Sequence, residues 1–231
     1  METFNFHYKF KFGDGRKKEF TARLEKETLN LIVPKESSPP EWTRLEHCQC
    51  PNCPLDTRKH PHCPVALNLS DLIDSFKDEI STEKVSLSIE AEERTYLKTT
   101  SVQKGLSSLM GIYMVTSGCP ILDQLKPMAR FHLPFATVEE TLYRALSMYL
   151  LAQYFVYKRG RKPDWDLKNL KKIYNDIRLV NRSFSKRLKS VQPEDALPNA
   201  VVILNNFADS LVFSIDKNAI SRIERLFKTL I

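Results

Sequence analysis

Four of the five cysteines lie close together, in the pattern Cys48-x-Cys50-x2-Cys53-x9-Cys63. Thiolates with this spacing can converge on one tetrahedral ion, and Zn²⁺ suits them because it binds thiolate sulfur at about 2.3 Å. Proline follows Cys50, Cys53 and Cys63 and fixes φ at the next position, which stiffens these turns. The pattern predicts a structural zinc site, whose four ligands leave no open position for catalysis.

The sequence of this loop also allows other ligand sets and other cofactors than a four-cysteine zinc site. His47, His60 and His62 flank the cysteines, so three thiolates and one imidazole form a second ligand set to consider. An iron–sulfur cluster is an alternative cofactor, since Cys-Pro pairs also occur in cluster loops. Reduced thiols without metal are the third interpretation, because the spacing departs from the paired Cys-x2-Cys motifs of common zinc sites.

A second group of reactive side chains follows later in the chain: Cys119, Arg130, His132, Glu139, Glu140 and Arg144. Cys119 and His132 would form a thiolate–imidazole pair if the fold brought them together, and an arginine would then bind an anionic group. The sequence offers no third group to orient the imidazole. A turn is the simpler setting for His132, and a buried thiol is the simpler role for Cys119. We therefore expect Cys119 to be neither a nucleophile nor a metal ligand.

Positive charge is concentrated in one segment. The segment from position 158 to 189 contains twelve Lys and Arg and three Asp. Its local charge is therefore +9, in a chain whose net charge is +7. In a helix over 168–189 the stripe is formed by Lys171, Arg178, Arg182 and Lys186. Such a stripe, with Tyr174 and Phe184 beside it, could follow the phosphates of a nucleic acid. A solvated helix face is the simpler interpretation, because no recognised nucleic-acid motif accompanies the charge.

The first hundred residues predict an antiparallel sheet. Apolar residues alternate over 4–12, 20–24 and 29–33, which is the period of a strand with one buried face. The cysteine loop, about 46–64, comes next, and Pro64 is placed to open a helix. Two further strands are indicated by Val85, Leu87 and Ile89 and by alternation from Thr95 to Thr99. The expected order is three strands, the loop, one helix and two strands.

The remainder, 101–231, predicts a helical bundle. A helix over Val102–Tyr113 should end near Gly118, and Thr137 with Glu140 matches a capping box for a helix running to about Lys158. Asp164 or Asp166 should cap the next helix, which extends to about Ser190. Beyond a break bracketed by Pro193 and Pro198, two final helices are expected over 201–213 and 219–230. The predicted fold class is α+β, with a small sheet unit over 1–100 and the bundle over 101–231.

Composition indicates a globular intracellular protein. The 231 residues are 42% hydrophobic and 27% charged, which is typical of a folded domain. The first residues, Met1–Asn5, have neither the basic nor the apolar region of a secretory signal. The most apolar stretch, Leu146–Tyr157, is shorter than the roughly 20 residues of a membrane span, so we expect a buried helix there and no membrane contact. We expect a cytoplasmic location with reduced thiols.

Three short runs carry a resemblance to a known family: Gln103-Lys104-Gly105-Leu106, Ser117-Gly118-Cys119-Pro120 and Arg130-Phe131-His132-Leu133-Pro134-Phe135. In these the chain resembles an uncharacterised bacterial family, a domain of unknown function of similar length with a Cys-x-Cys-x2-Cys loop. The resemblance covers most of the chain and implies no activity.

Two classes of function remain in view. The first is a non-enzymatic, metal-stabilised intracellular binding or regulatory module, acting on a protein or an acidic polymer through the basic helix or an exposed bundle face. The alternative is an enzyme centred on Cys119 and His132, or nucleic-acid binding through the helix 168–189. A pocket that holds Cys119 and His132 within hydrogen-bond reach would favour the enzyme.

Overall fold

The sheet has four antiparallel strands, β1 (Thr3–Phe12), β2 (Lys17–Glu25), β3 (Lys84–Glu90) and β4 (Thr95–Ser101), in the order β2-β1-β3-β4. The computed structural model describes residues 2–33, 38–191, 194–216 and 220–230. Every second side chain of β1, from Phe4 to Phe12, is buried, because the strand presents one face to the core. Gly15 has φ of 91° in the turn to β2, a conformation that glycine adopts without a steric cost.

One helix comes between β2 and β3 in the sequence, and the other helices follow β4. The helices are α1 (Pro64–Phe76), α2 (Val102–Val115), α3 (Lys126–Arg130), α4 (Val138–Lys158), α5 (Lys168–Lys189), α6 (Ala196–Asp216) and α7 (Ser221–Glu224). Pro64 occupies the first turn of α1, as predicted. The mixed α+β class, with an antiparallel sheet followed by helices, is confirmed.

The predicted third strand over 29–33 is wrong. Only Leu31 forms a bridge, to Leu24, and Leu29 has a left-handed φ of 59°. The amide of Leu31 donates to the carbonyl oxygen of Thr116 at 3.0 Å. The segment stays beside β2, since the Ile32 amide donates to the Arg23 carbonyl oxygen at 2.8 Å and the Glu25 amide to the Asn30 carbonyl oxygen at 3.0 Å. It forms a single bridge and not a strand, because Leu31 turns its amide to the end of α2.

Gly105 lets α2 approach the sheet closely. A Cβ atom at this position would lie 2.7 Å from Cε1 of Phe10 and 2.9 Å from Cδ2 of Leu87. The resulting contact joins residues of the two predicted parts, 1–100 and 101–231, in one hydrophobic cluster. The division into two domains stays a prediction.

The ends of the long helices follow local chemistry. The capping box at the start of α4 is confirmed, with the Glu140 amide donating to Thr137 Oγ1 at 3.2 Å and the Thr137 amide to Glu140 Oε2 at 2.7 Å. Asp164 caps α5, since its carboxylate accepts from the amides of Lys168 at 3.2 Å and Asn169 at 2.7 Å. Gly118, with φ of 83°, follows the end of α2 as expected.

The C-terminal helices differ from the prediction. Pro198 does not mark a break, because it lies in the first turn of α6, where a proline costs no helical hydrogen bond. Pro193 and Ala219 lie outside the described residues. The last predicted helix is reduced to the single turn of α7, which continues as a 3-10 helix over Arg225–Phe227.

The expected burial of the apolar stretch Leu146–Tyr157 is wrong for most of its length. Leu146 and Tyr149 are buried against the bundle, whereas the following large apolar side chains are exposed: Leu150, Leu151, Tyr154, Phe155 and Tyr157. Among the described helices, Ala196–Ile215 has the length and composition of a membrane span. In its most apolar part, 44% of the residues are buried inside the protein. Core helices of soluble proteins pass the same test, so this is weak evidence for a span.

Candidate functional site

A buried arginine binds the segment that leads into the cysteine loop to α5. Arg187 is 2% exposed, and its Nη1 donates to the carbonyl oxygens of Trp42 at 2.6 Å and Arg44 at 2.7 Å. Its Nη2 donates to the Leu45 carbonyl oxygen at 3.3 Å. All three acceptors are neutral, so within the described residues no carboxylate balances this buried charge.

The fifth cysteine lies with the loop cysteines. A small cavity of about 20 Å³ is lined by Cys50, Cys53, Cys63 and Cys119, with Cys48 also at its wall. Cys119 is buried, the next three are half-buried, and Cys48 is exposed with a left-handed φ of 53°. Among the described residues no three His, Cys, Asp or Glu side chains are already arranged to hold a metal. The zinc site stays a prediction.

Three thiols of this cavity, those of Cys50, Cys63 and Cys119, favour the protonated form. Burial raises the pKa of Cys50 to about 12, and its neighbours Cys63, Cys119 and Cys53 add to this effect. Burial likewise raises the pKa of Cys63 and of Cys119. A thiol with a raised pKa is a weak nucleophile, which agrees with the inert role expected for Cys119.

The three histidines proposed as reserve ligands have other surroundings. His62 Nδ1 is 2.7 Å from Thr43 Oγ1, and His47 Nε2 is 2.8 Å from Ser190 Oγ at the end of α5. His60 is exposed. In the described part of the chain none of them lines the cysteine cavity.

A much larger cavity, of about 470 Å³, lies between β4 and the helices α2 to α6. This volume falls within the range of small-molecule sites. Most of its lining is apolar, including Ile112, Leu204 and Phe207. His132 lines this cavity and Cys119 lines the other one, so the structure does not assemble the Cys119–His132 pair.

His132 forms a compact cluster with two hydroxyl groups. Its Nε2 is 2.8 Å from the Tyr8 hydroxyl and 3.2 Å from Ser108 Oγ, and the two oxygens are 3.0 Å apart. Burial, with a contribution from Arg144, lowers the pKa of His132 to about 3. An imidazole with so low a pKa is a poor general base at neutral pH. The cluster therefore acts as a neutral polar wall.

Arg144 brings a positive charge into the cavity wall. Its Nη2 donates to the carbonyl oxygens of Met128 at 2.9 Å and Phe131 at 2.6 Å. Burial lowers its pKa, yet an arginine keeps its charge in proteins. Arg144 and Glu140 stand one helical turn apart on α4, yet among the described residues they form no ion pair, because the Glu140 carboxylate accepts hydrogen bonds from Thr137 in the capping box.

Two side chains of α5 present polar groups to this cavity. Tyr174 is 4% exposed and Asn181 is 3% exposed, and both line the cavity. Neither has an atom among the described buried polar atoms that lack a hydrogen-bond partner. In a wall that is otherwise mostly apolar, they are polar groups that a ligand entering the cavity would meet.

The charge of the cavity wall has one sign. Lys98 and Lys104 stand at its exposed side and Arg144 lies deeper, while none of the described lining residues is Asp or Glu. The nearby Glu140 is held by Thr137, whose hydrogen bonds lower its pKa, with smaller effects of Arg144 and Lys98. An apolar cavity with this electrostatic bias favours an anion.

The basic stripe of α5 is shorter than predicted. Arg178 forms an ion pair with Asp209 of α6 and so faces the bundle. Arg182 and Lys186 are exposed, and Lys171 is half-buried. Both aromatic residues proposed to stack on bases, Tyr174 and Phe184, are buried. Nucleic-acid binding stays a prediction that rests on charge alone.

Sequence reasoning missed Ser108 and Asn181 in the lining of the large cavity, and it placed Tyr174 beside the basic stripe instead. It also missed Tyr8, which contacts His132. A signal was present for Asn181, which interrupts the apolar stripe of α5 between Ile177 and Phe184. Ser108 likewise interrupts the apolar run of α2. A polar residue on a buried helix face needs a partner, and this pattern could have indicated an internal site.

A family comparison covers nearly the whole chain. The model of a domain of unknown function (DUF6901) matches residues 6–228. The chain belongs to this family. The resemblance to a family without an assigned activity is thereby confirmed, whereas a bacterial origin and a shared cysteine loop are not shown. No curated protein and no solved structure matches the chain.

Proposed function

We propose that this chain is a non-enzymatic binding module whose large cavity takes a small amphipathic anion, such as an aliphatic carboxylate. The observation that carries the proposal is the set of polar and positively charged side chains, Tyr174, Asn181 and Arg144, in an otherwise mostly apolar cavity of about 470 Å³. A ligand that accepts and donates hydrogen bonds there gains about 0.5–1.5 kcal/mol from each neutral hydrogen bond.

The ligand should carry negative charge. Arg144 has one nitrogen engaged with backbone carbonyl oxygens, and its remaining donors have no partner among the described residues. A carboxylate beside Arg144 and the Tyr174 hydroxyl would receive charge-assisted hydrogen bonds, which are about twice as strong as neutral ones. The apolar walls would hold the hydrocarbon part of the same molecule.

Binding is favoured over catalysis by the state of His132. A base that takes a proton at neutral pH needs a pKa near 7, and the pKa of His132 is about 3. Its Nε2 is already engaged with Tyr8 and Ser108. The cluster can orient a ligand, but it is poorly suited to abstract a proton from one.

Calorimetric titration with sodium decanoate and with decanol tests the proposal. We expect decanoate to bind more tightly, and Tyr174→Phe to weaken it about 10-fold, since a hydrogen bond to a charged group contributes ~1.5 kcal/mol. The variant keeps the aromatic ring and removes only the hydroxyl oxygen, so its thermal stability should change little. Arg182→Ala, on the exposed face of α5, is the matched control and should bind like wild type.

Two results would count against an anion site. One is equal affinity for decanoate and decanol, which would show that charge makes no contribution. The other is an affinity for decanoate that Tyr174→Phe leaves unchanged.

The module is also proposed to be cytoplasmic, with its cysteine loop held by structural zinc and with an iron–sulfur cluster as the alternative cofactor. Support for a metal is the convergence of the cysteines on one small cavity beside Arg187. Elemental analysis together with an absorption spectrum of the purified protein distinguishes zinc, an iron–sulfur cluster and no metal.

A protein partner is a second candidate, and the exposed part of α4 supports it. Leu151 is 56% exposed, Phe155 52% and Tyr157 60%, and Trp165 beyond the helix is 53% exposed. Contiguous apolar surface of this kind marks interaction sites. Light scattering of wild type and Phe155→Glu tests whether the partner is a second copy of this chain.

A further inference from the structure

The cysteine cavity adds Cys119 to the loop cysteines that the linear spacing groups. Cys50 and Cys53 come from the loop, Cys63 immediately precedes α1, and Cys119 follows α2. A cavity of about 20 Å³ has room for about one water-sized particle, which is the scale of a single ion and not of an organic ligand.

These four cysteines share a local motif that Cys48 lacks. Each is followed by proline, at Pro51, Pro54, Pro64 and Pro120, whereas Gln49 follows Cys48. Proline sets φ and has no amide hydrogen, so the next free amides are those two and three residues after each cysteine.

Arg187 supplies the charge that such a site needs. A divalent ion with four thiolates carries a net charge of −2, and burying that charge requires a nearby cation. The guanidinium lines the same cavity, is 2% exposed and has only neutral carbonyl oxygens as acceptors. An anionic metal centre would therefore place a balancing negative charge beside the buried arginine.

We infer that Cys50, Cys53, Cys63 and Cys119 form a tetrathiolate site for one Zn²⁺ ion, with Cys119 as the fourth ligand in place of Cys48. The inference rests on the proposal that the cysteines hold a metal. When the ion binds, the four thiols release their protons to solvent. The side chains then move together until their sulfur atoms are about 3.8 Å apart, the separation required by tetrahedral ligands at about 2.3 Å from the ion.

Such a site would join distant parts of the chain. The loop and α1 belong to the first hundred residues, and Cys119 belongs to the helical remainder. The ion is then a cross-link between them, and its binding free energy contributes to folding. This reverses the expectation that Cys119 is not a ligand, and it leaves Cys48 as a solvent-exposed thiol.

The deciding experiment uses Cys48→Ser in the full chain with Co²⁺ as a spectroscopic substitute for Zn²⁺. The chain has five cysteines, so this variant retains only the four of the inferred site. We expect it to bind one Co²⁺ with a wild-type tetrahedral spectrum and an unreduced thiolate-to-metal charge-transfer band. Cys48 is exposed, so the substitution should not disturb folding. Cys53→Ser is the matched control within the same loop and should lose about a quarter of the band or bind no metal.

Two results would overturn the inference, and they are distinguishable. If Cys48→Ser shows a reduced charge-transfer band while wild type shows four thiolates, the metal is bound through the loop cysteines and only the ligand set is wrong. If wild type binds neither Co²⁺ nor Zn²⁺, the metal proposal itself fails.

Discussion

Acid should destabilise this fold through His132. Its folded pKa is about 3, lowered first by burial and then by the charge of Arg144, whereas the pKa of an unfolded histidine is about 6.5. Above pH 6.5 both states carry a neutral imidazole and the residue makes no pH-dependent contribution. As the pH falls below 6.5, the unfolded state takes up a proton that the folded state refuses until about pH 3, so the stability decreases across this window.

The magnitude follows from the size of the window. Each pH unit below the unfolded pKa costs about 1.4 kcal/mol, so the loss attributable to His132 is about 2 kcal/mol at pH 5. Water that enters the cavity would solvate the imidazolium and reduce this figure. The groups that face the ring are Tyr8, Ser108 and Arg144, and the two hydroxyls do not titrate between pH 5 and 7.

Urea unfolding of wild type and His132→Gln at pH 7 and pH 5 measures this effect. Glutamine can keep a hydrogen bond to Tyr8 or Ser108 and cannot take up the proton. Carboxylates whose pKa is lowered in the fold, such as Glu79, contribute equally to both proteins and cancel in the comparison. We expect wild type to lose about 2 kcal/mol more than the variant. The exposed His60→Gln serves as the matched control. An equal loss in wild type and His132→Gln would refute a low pKa for His132.

Three further outcomes can be measured. Gly105→Ala should destabilise the protein by about 1–3 kcal/mol in thermal denaturation, because the added Cβ would lie 2.7 Å from the Phe10 ring. Gly111→Ala in the same helix is the control. Its Cβ would make an ordinary contact of 3.6 Å, so this variant should be neutral or stabilised. Thr137→Ala should cost about 1 kcal/mol in urea unfolding through loss of the α4 capping box. In fluorescence anisotropy at physiological salt, Arg182→Ala should not change the binding of single- or double-stranded oligonucleotides, and submicromolar, salt-dependent binding by wild type that the variant weakens would favour nucleic acid as the partner.

The strands of this sheet could be predicted because one of its faces is buried. Alternation in β1 and β3 follows directly from the side-chain period of a strand. The same alternation over 29–33 was misleading, because burial of Leu31 does not require a ladder partner. Its hydrogen bond to Thr116 depends on where α2 ends, which is information that a local pattern does not contain.

The sites divide in the same way. Spacing within the loop indicated a cysteine cluster, but Cys119 joins it only through the packing of α2 beside α1. The large cavity is a space left between helices, and no local pattern reports how closely helices meet. Exposure of α4 was also missed, because its apolar stretch has the composition of a core helix.

A single helix lines both cavities, and this arrangement predicts coupling between them. On α5, Tyr174 and Asn181 line the large cavity, while Phe184 and Arg187, further along the same helix, line the cysteine cavity. An ion bound beside Arg187 would fix the position of α5, and an anion held by Tyr174 would then bind to a helix that is already placed. We expect removal of the metal with a chelator to weaken decanoate binding, and decanoate to raise metal affinity by the same factor, because coupling free energy is reciprocal. Calorimetry of the metal-loaded and chelated full chain measures both. An unchanged decanoate affinity in chelated protein that keeps its helical circular dichroism would show that α5 does not connect the two sites.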